Sequence, residues 1–202
     1  MAAGGPETVN TPPDHKPVAR AGEPVSLGIL IETAMTSKEN RGAMFRSLNE
    51  IVRALGPNDE AFVLSFSHDL VFEEDLTGDY RRLQQAIDRI QPESGTALMD
   101  AVGFAAGHLQ RIAKNPNRVL LVISDGRNTS SRANPLEVSS EIRSSEVRIY
   151  CIGMGIDSGE EMNRLQALAS GTGGQAAFIS GPRQFDMAAR QIARNMGIVP
   201  SS

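Results

Sequence analysis

Residues 118–124 are the sequence feature that most restricts the fold of this chain. The residues from Val119 to Ile123 are all apolar and branched, and the stretch ends at Asp125 and Gly126. A short apolar run that ends in a turn is typical of a parallel strand covered on both faces. Parallel strands need long crossover connections, which are usually helices. The run therefore predicts an α/β domain with this strand at its centre.

Strand-like and helix-like segments alternate along the rest of the chain. Two of the strand-like segments are separated by only two residues, which predicts a hairpin and makes one strand antiparallel. The sequence therefore predicts a doubly wound, mostly parallel six-stranded sheet with one antiparallel edge strand and helices on both faces. The predicted strands are 25–31, 61–66, 69–73, 118–124, 147–152 and 175–179. The predicted helices are one that ends before Gly56, then 80–90, 97–113, 135–144, 160–169 and 182–196.

Composition favours one globular domain with a tail at each end. Apolar residues make up 40% of the 202 residues and charged residues 22%, which is ordinary globular usage. Residues 1–24 contain five of the eleven prolines and no Ile, Leu, Phe or Tyr. They can therefore bury too little apolar surface to offset the conformational entropy that ordering would cost. We therefore expect a disordered tail or linker at 1–24, a domain at 25–197 and a short tail at 198–202.

Charge and hydropathy exclude several classes of protein. The net charge of −4 gives no broad attraction for phosphate backbones, so we expect no nucleic-acid partner. No apolar stretch is long enough to span a bilayer, and the N-terminus lacks the pattern of a signal peptide. As written, the sequence predicts a soluble protein, either cytoplasmic or an exported domain without its signal.

Polar residues collect in three loops next to predicted strand ends. These loops are 32–37, 94–97 and 124–126. In open α/β sheets ligands bind at the carboxyl ends of the parallel strands, so the three loops are expected to meet at one edge. They would bring together the carboxylates of Glu32 and Asp125 and several hydroxyls, which are the ligands that Mg²⁺ prefers.

The order and spacing of three short segments carry a family resemblance. They are 94–101 (SGTALMDA), 124–126 (SDG) and 149–155 (IYCIGMG). Over residues 25–196 the chain resembles the von Willebrand factor type A (VWA) family, and its bacterial members in particular. The resemblance implies a Rossmann-like VWA fold and a protein-binding role without enzymatic activity. It also implies a metal-ion-dependent adhesion site.

The resemblance assigns roles to individual residues. Thr96 and Asp125 occupy the family's threonine and aspartate positions in the second and third loops. In the first loop Glu32 replaces an aspartate, Ala34 the first serine and Thr36 the second. The implied Mg²⁺ ligands are thus Glu32, Thr36, Thr96 and Asp125. We expect Mg²⁺ to bind weakly or not at all, because Glu32 is one methylene longer and Ala34 has no side-chain oxygen.

The predicted ligand-binding face adds the neighbouring residues Ser37, Ser94, Gly95, Gly126, Arg127 and Asn128. The implied partner is another protein, bound through an acidic side chain if the metal is present. Without the metal, Glu32 and Asp125 would be uncompensated acids that favour a basic or hydroxyl-bearing partner.

These residues also have purely structural interpretations. Asp125 and Gly126 alone would form a turn, Thr96 would cap a helix, and Thr36 with Glu39 would form a capping box. The segment 171–174 (GTGG) suits a helix end and turn. The alternative functions are a metal-assisted hydrolase that uses Glu32 and Asp125, and a purely structural scaffold.

Overall fold

The computed structural model of the chain describes residues 23–34 and 38–198. This part of the chain contains six strands and six helices, in the predicted order. The strands are β1 (Val25–Glu32), β2 (Glu60–Phe66), β3 (Leu70–Thr77), β4 (Asn117–Ser124), β5 (Arg148–Met154) and β6 (Ala176–Ile179). The helices are α1 (Lys38–Arg53), α2 (Tyr80–Arg89), α3 (Leu98–Ile112), α4 (Pro135–Ser144), α5 (Gly159–Ser170) and α6 (Pro182–Met196).

Most of both predicted tails lies outside the described residues, so the domain limits stay predictions. None of the described helices has the length and apolar character needed to cross a membrane.

The strands form one sheet in the order β3-β2-β1-β4-β5-β6. All neighbours are parallel except β2 and β3, which are antiparallel, so β3 is the antiparallel edge strand. In the register of β1 and β4, Ile31 pairs with Ile123, and Glu32 therefore comes next to Ser124. The predicted fold class is confirmed, and β4 lies at the centre of the sheet.

The core consists of one apolar layer on each face of the sheet. Along β4, Val119, Leu121 and Ile123 face the layer that includes residues of α1, α2 and α6. Leu120 and Val122 face the layer that includes residues of α3, α4 and α5. Because successive strand side chains point to opposite faces, a continuous apolar run buries both faces. This explains why β4 has no polar residue between Val119 and Ile123.

Strand β3 is longer than the prediction, which ended at residue 73. The middle of the strand, residues 73–75, is acidic, and salt bridges to α2 compensate part of this charge. Glu74 lies 2.6 Å from the guanidinium of Arg82, and Glu73 lies 3.3 Å from that of Arg89. The pairing of β2 with β3 also contains register shifts, which interrupt a regular alternation of side chains. Periodicity therefore missed half of the strand.

The turn after α5 packs directly on β5. Helix α5 ends at its C-cap Gly171, as the sequence predicted for 171–174. The Oγ1 atom of Thr172 accepts a hydrogen bond of 2.9 Å from the backbone N–H of Ile149. A Cβ atom on Gly174 would lie 1.9 Å from the carbonyl oxygen of Ile149. Only glycine allows this approach of two backbone segments.

We predict that Gly174→Ala lowers the free energy of unfolding by about 3 kcal/mol, because the new methyl group overlaps a backbone atom that cannot move aside. The matched control is Gly159→Ala, since a Cβ atom there meets nothing within 4 Å. We expect this control to change stability by about 1 kcal/mol or less, in the stabilising direction. Chemical denaturation measures both values, and equal effects would contradict the packing argument.

Candidate functional site

The carboxyl ends of β1, β2 and β4 bring three loop segments together at one edge of the sheet. We call these segments, 32–34, 94–97 and 124–131, the rim. The second segment is tied to the end of β2, because the N–H of Ala97 donates a 2.8 Å hydrogen bond to the carbonyl of Ser67. The rim therefore contains the described part of all three predicted loops.

The Glu32 carboxyl group is buried beneath the rim and has no solvent-exposed surface. Its Oε2 atom accepts hydrogen bonds from Ser124 Oγ at 2.6 Å and from the N–H of Asp125 at 3.0 Å. Its Oε1 atom is buried without a hydrogen-bond partner among the described residues. Burial raises the pKa of Glu32 to about 7, although the hydrogen bond from Ser124 opposes this shift. Glu32 is therefore half protonated near neutral pH.

Arg127 compensates the acidic residues of the rim. Asp125 is 5% exposed, and its Oδ1 atom accepts a 2.8 Å hydrogen bond from the N–H of Arg127. Its Oδ2 atom lies 3.8 Å from Arg127 Nε. The same guanidinium contacts the carboxylates of Asp157 and, at 3.4 Å, Glu161. Burial raises the pKa of Asp125, and the hydrogen bond and charge of Arg127 oppose that rise.

Thr96 joins the second loop to the third. Its Oγ1 atom accepts a 3.2 Å hydrogen bond from the N–H of Thr129 and lies 3.0 Å from Thr129 Oγ1. Its carbonyl accepts hydrogen bonds from the N–H groups of Thr129 and Ser130. The alternative that Thr96 caps a helix is wrong, because the N-cap of α3 is Ala97, which has no side-chain cap.

The loop after β4 supplies the missing cap of α3. The N–H of Met99 donates to Asn128 Oδ1 at 3.2 Å and to Ser131 Oγ at 3.1 Å. In the opposite direction the Asp100 carboxylate accepts a 2.8 Å hydrogen bond from the N–H of Arg132. The N–H of Asp100 donates to Ser131 Oγ as well, at 3.2 Å. The first N–H groups of a helix have no partner within the helix, and here a neighbouring loop satisfies two of them.

Two glycines of the rim have backbone conformations that other residues rarely adopt. Gly126 has a φ of 82°, and a Cβ atom there would lie 2.6 Å from the carbonyl oxygen of Glu161. The Gly126 carbonyl accepts a hydrogen bond from the Arg164 guanidinium. Gly95 has a φ of 97°, and the ring of His68 fills the space that a Cβ atom would take. Both glycines are therefore required by the geometry of the rim.

The structure brings most of the predicted site residues together, but with different exposures. Ser94 and Arg127 are exposed, whereas Gly95 and Asn128 are half-buried. The buried members are Glu32, Thr96, Asp125 and Gly126. Thr36 and Ser37 lie outside the described residues. The roles of all these residues in binding stay predictions.

Sequence reasoning missed several residues that organise the rim. Ser124 donates a hydrogen bond to Glu32, Thr129 donates one to Thr96, and Arg164 donates one to the carbonyl of Gly126. Asp157 and Glu161 pair with Arg127. The available signal was their position after β5, Asp157 in the connecting loop and Glu161 in the first turn of α5, since β5 is another parallel strand that ends at the same edge.

The expectation that Glu32 and Asp125 would be uncompensated acids without a metal is wrong for this geometry. Asp125 is paired with Arg127, and Glu32 has no exposed surface. The long Glu32 side chain reaches back to the end of β4, where Ser124 and the backbone hold it. The surface of the rim therefore presents Arg127 and not these two carboxylates.

The described oxygens do not by themselves fit a protein-ligated Mg²⁺ ion, which takes a near-octahedral shell of oxygens. The oxygens of Thr96 and Asp125 face protein groups, and the unpartnered Oε1 of Glu32 is the remaining candidate. Within residues 23–34 and 38–198, no three His, Cys, Asp or Glu side chains are grouped so that they could hold a metal ion.

Comparison with known proteins places the sequence in a family context. The model of the von Willebrand factor type A domain matches residues 32–189, which include the rim and all six strands at least in part. No curated protein sequence matches the chain significantly.

Solved structures with the same fold come from several bacteria. The conserved hypothetical protein BatB from Bacteroides thetaiotaomicron has 16% identity and a TM-score of 0.67, over 85% of this chain and 98% of that one. The vWF domain of the type V pili tip protein Mfa5 from Porphyromonas gingivalis has 13% identity and a TM-score of 0.68, over 89% and 98%. A von Willebrand factor type A protein from Catenulispora acidiphila has 17% identity and a TM-score of 0.71, over 86% and 43%. At these identities the likeness shows the fold alone.

The buried carboxyl of Glu32 predicts a defined pH dependence of stability. Its pKa is about 7 in the folded protein against 4.5 for an unperturbed glutamate. Between these values the folded state holds a proton that the unfolded chain has released, so stability falls as pH rises. We predict that Glu32→Gln removes this loss. Between pH 4.5 and 8 the free energy of unfolding of the variant should therefore rise by on the order of 3 kcal/mol relative to that of the wild type.

Urea denaturation at several pH values measures this difference. The control is Glu141→Gln, which removes an exposed acid on α4. Its curve of unfolding free energy against pH is expected to run parallel to that of the wild type. If the Glu32→Gln curve is also parallel to the wild type, the burial argument fails.

Proposed function

The chain belongs to the von Willebrand factor type A domain family, and from this premise we propose that it is a protein-binding module of the adhesion or assembly type. We place its ligand face at the rim. The hydrogen bonds that join the three loops carry this proposal, because they hold a surface in one shape before a partner arrives. Preorganisation of this kind reduces the cost of binding. That Mfa5 is a pili tip protein also supports an assembly role.

The contacts of the reactive side chains favour binding over catalysis. Burial raises the pKa of the Cys151 thiol to about 12, so it stays protonated and unreactive. His68 Nδ1 contacts the carbonyl of Ser94, and His108 pairs with Asp75. The alternative hydrolase would use Glu32 and Asp125, but Glu32 has no surface at which a substrate could reach it. These contacts support a module without enzymatic activity.

We propose further that divalent cations contribute weakly or not at all to binding. The described donors support this proposal, because Asp125 has a guanidinium beside it and Ala34 offers no side-chain oxygen. A positive guanidinium within 4 Å of Asp125 opposes the approach of a second cation to that carboxylate. Arg127 thus supplies at this site the charge compensation that a metal ion would otherwise provide.

A capture experiment tests both parts of this proposal. The immobilised full chain captures proteins from a lysate of its own cells, with either Mg²⁺ or a chelator present, and mass spectrometry quantifies them. Because Ser94 is exposed on the rim, we expect Ser94→Trp to reduce capture by at least about tenfold. Gln85→Trp on α2 places the same bulk on an exposed position away from the rim and is expected to have no effect.

Chelation is expected to change capture by less than about twofold, a free-energy difference below roughly 0.5 kcal/mol. Loss of capture on chelation would contradict the proposed cation independence but leave the rim as the ligand face. Equal behaviour of the two tryptophan variants would contradict the rim itself.

A further inference from the structure

A cavity of about 260 Å³ opens between α4 and α5, beside the rim. Helix α4 packs on α3, and α5 packs on β5 and β6, so the space between the two helices remains unfilled. Apolar side chains form much of its wall, and Asn128 connects it with the third loop of the rim. The apolar lining residues are Met99, Pro135, Ile142, Ala167 and Leu168. We call this space the α4–α5 groove.

The charge of the α4–α5 groove differs in sign from that of the whole chain. The chain has a net charge of −4, yet the lining contains Arg143 and Arg164 and no carboxylate. Arg164 is held by the Gly126 carbonyl, which fixes one guanidinium at the end of the groove next to the rim. Its ion pair with Glu160 involves a carboxylate that is 81% exposed. Such surface pairs are weak, so an incoming carboxylate can replace Glu160.

The size of the α4–α5 groove suits one side chain better than a whole small molecule. Ligand pockets commonly have volumes of roughly 300–1,000 Å³, and this cavity is smaller. Leu136 follows the lining residue Pro135 and is 80% exposed, which adds apolar surface next to it.

We propose that the α4–α5 groove binds a segment of a partner protein in which an Asp or Glu side chain lies within a few residues of a large apolar side chain. The apolar side chain enters the groove between Met99 and Leu168, and the carboxylate pairs with Arg143 and Arg164. Arginine suits this role because its planar guanidinium binds carboxylates through paired hydrogen bonds. The inference rests on the proposed function, and it adds the location and chemistry of recognition.

Selection from a phage-displayed library of random linear peptides against the immobilised full chain tests this inference. We expect enriched sequences to pair an acidic residue with Leu, Ile, Met or Phe. Fluorescence anisotropy of the synthesised peptides then gives Kd for each variant. Arg143→Glu is expected to weaken binding at least about tenfold, because it reverses a charge that faces the carboxylate. Ala167→Trp, on an exposed helix position that lines the groove, is expected to do the same by filling it.

The control is Arg183→Glu, which reverses an exposed charge on α6, on the opposite face of the sheet. It keeps the same net charge as Arg143→Glu and is expected to bind the peptides as the wild type does. Thermal unfolding checks that all variants are folded, and Arg143→Glu decides the result if Ala167→Trp unfolds.

The remaining outcomes separate this inference from the proposed function. No enrichment, enriched peptides without an acid, or equal effects of Arg143→Glu and Arg183→Glu would overturn the inference. Peptides that are sensitive to Ser94→Trp but not to the groove variants would overturn it and leave the rim as the ligand face. Binding of free acetate-like carboxylates or self-association of the chain at the groove, without peptide binding, would also overturn it.

Discussion

The parallel pairing of β1 with β4 fixes the position of everything at the rim. With Ile31 opposite Ile123, the Glu32 side chain meets Ser124 and the N–H of Asp125. A shift of one residue would turn Glu32 to the other face of the sheet. The apolar residues on both sides of β1 and β4 prevent such a shift, because it would exchange the side chains between two differently shaped core layers. A buried carboxyl of raised pKa is therefore held in place by hydrophobic packing.

Charge balance around Arg127 follows from this arrangement. Three carboxylates, those of Asp125, Asp157 and Glu161, approach one guanidinium. Like charges this close would repel each other strongly without a cation among them. The guanidinium belongs to the chain itself, so the chain supplies a positive charge among these carboxylates. Protein charge and backbone contacts together stabilise this arrangement of the loops.

Sequence patterns predicted the elements of the fold well. Strand β4, buried on both faces, leaves a continuous apolar run, and the amphipathic helices leave a helical periodicity. They could not predict the environment of Glu32, since its burial depends on register and on the reach of one extra methylene. They also missed the pairing of Arg127 with Asp157, two residues that are distant in sequence and meet only because β4 and β5 are neighbours. The roles of Thr36 and Ser37 in the first loop remain predictions.

Two residues connect the rim with the α4–α5 groove, and this connection affects how a partner would be recognised. Asn128 caps α3 and lines the groove, while Arg164 holds Gly126 and lines the groove as well. A partner segment in the groove would therefore touch residues that set the rim's geometry. With Glu32 buried and Asp125 paired, these two carboxylates contribute little repulsion of an acidic partner. In the binding mode that we propose, Arg143 and Arg164 attract the carboxylate of the partner.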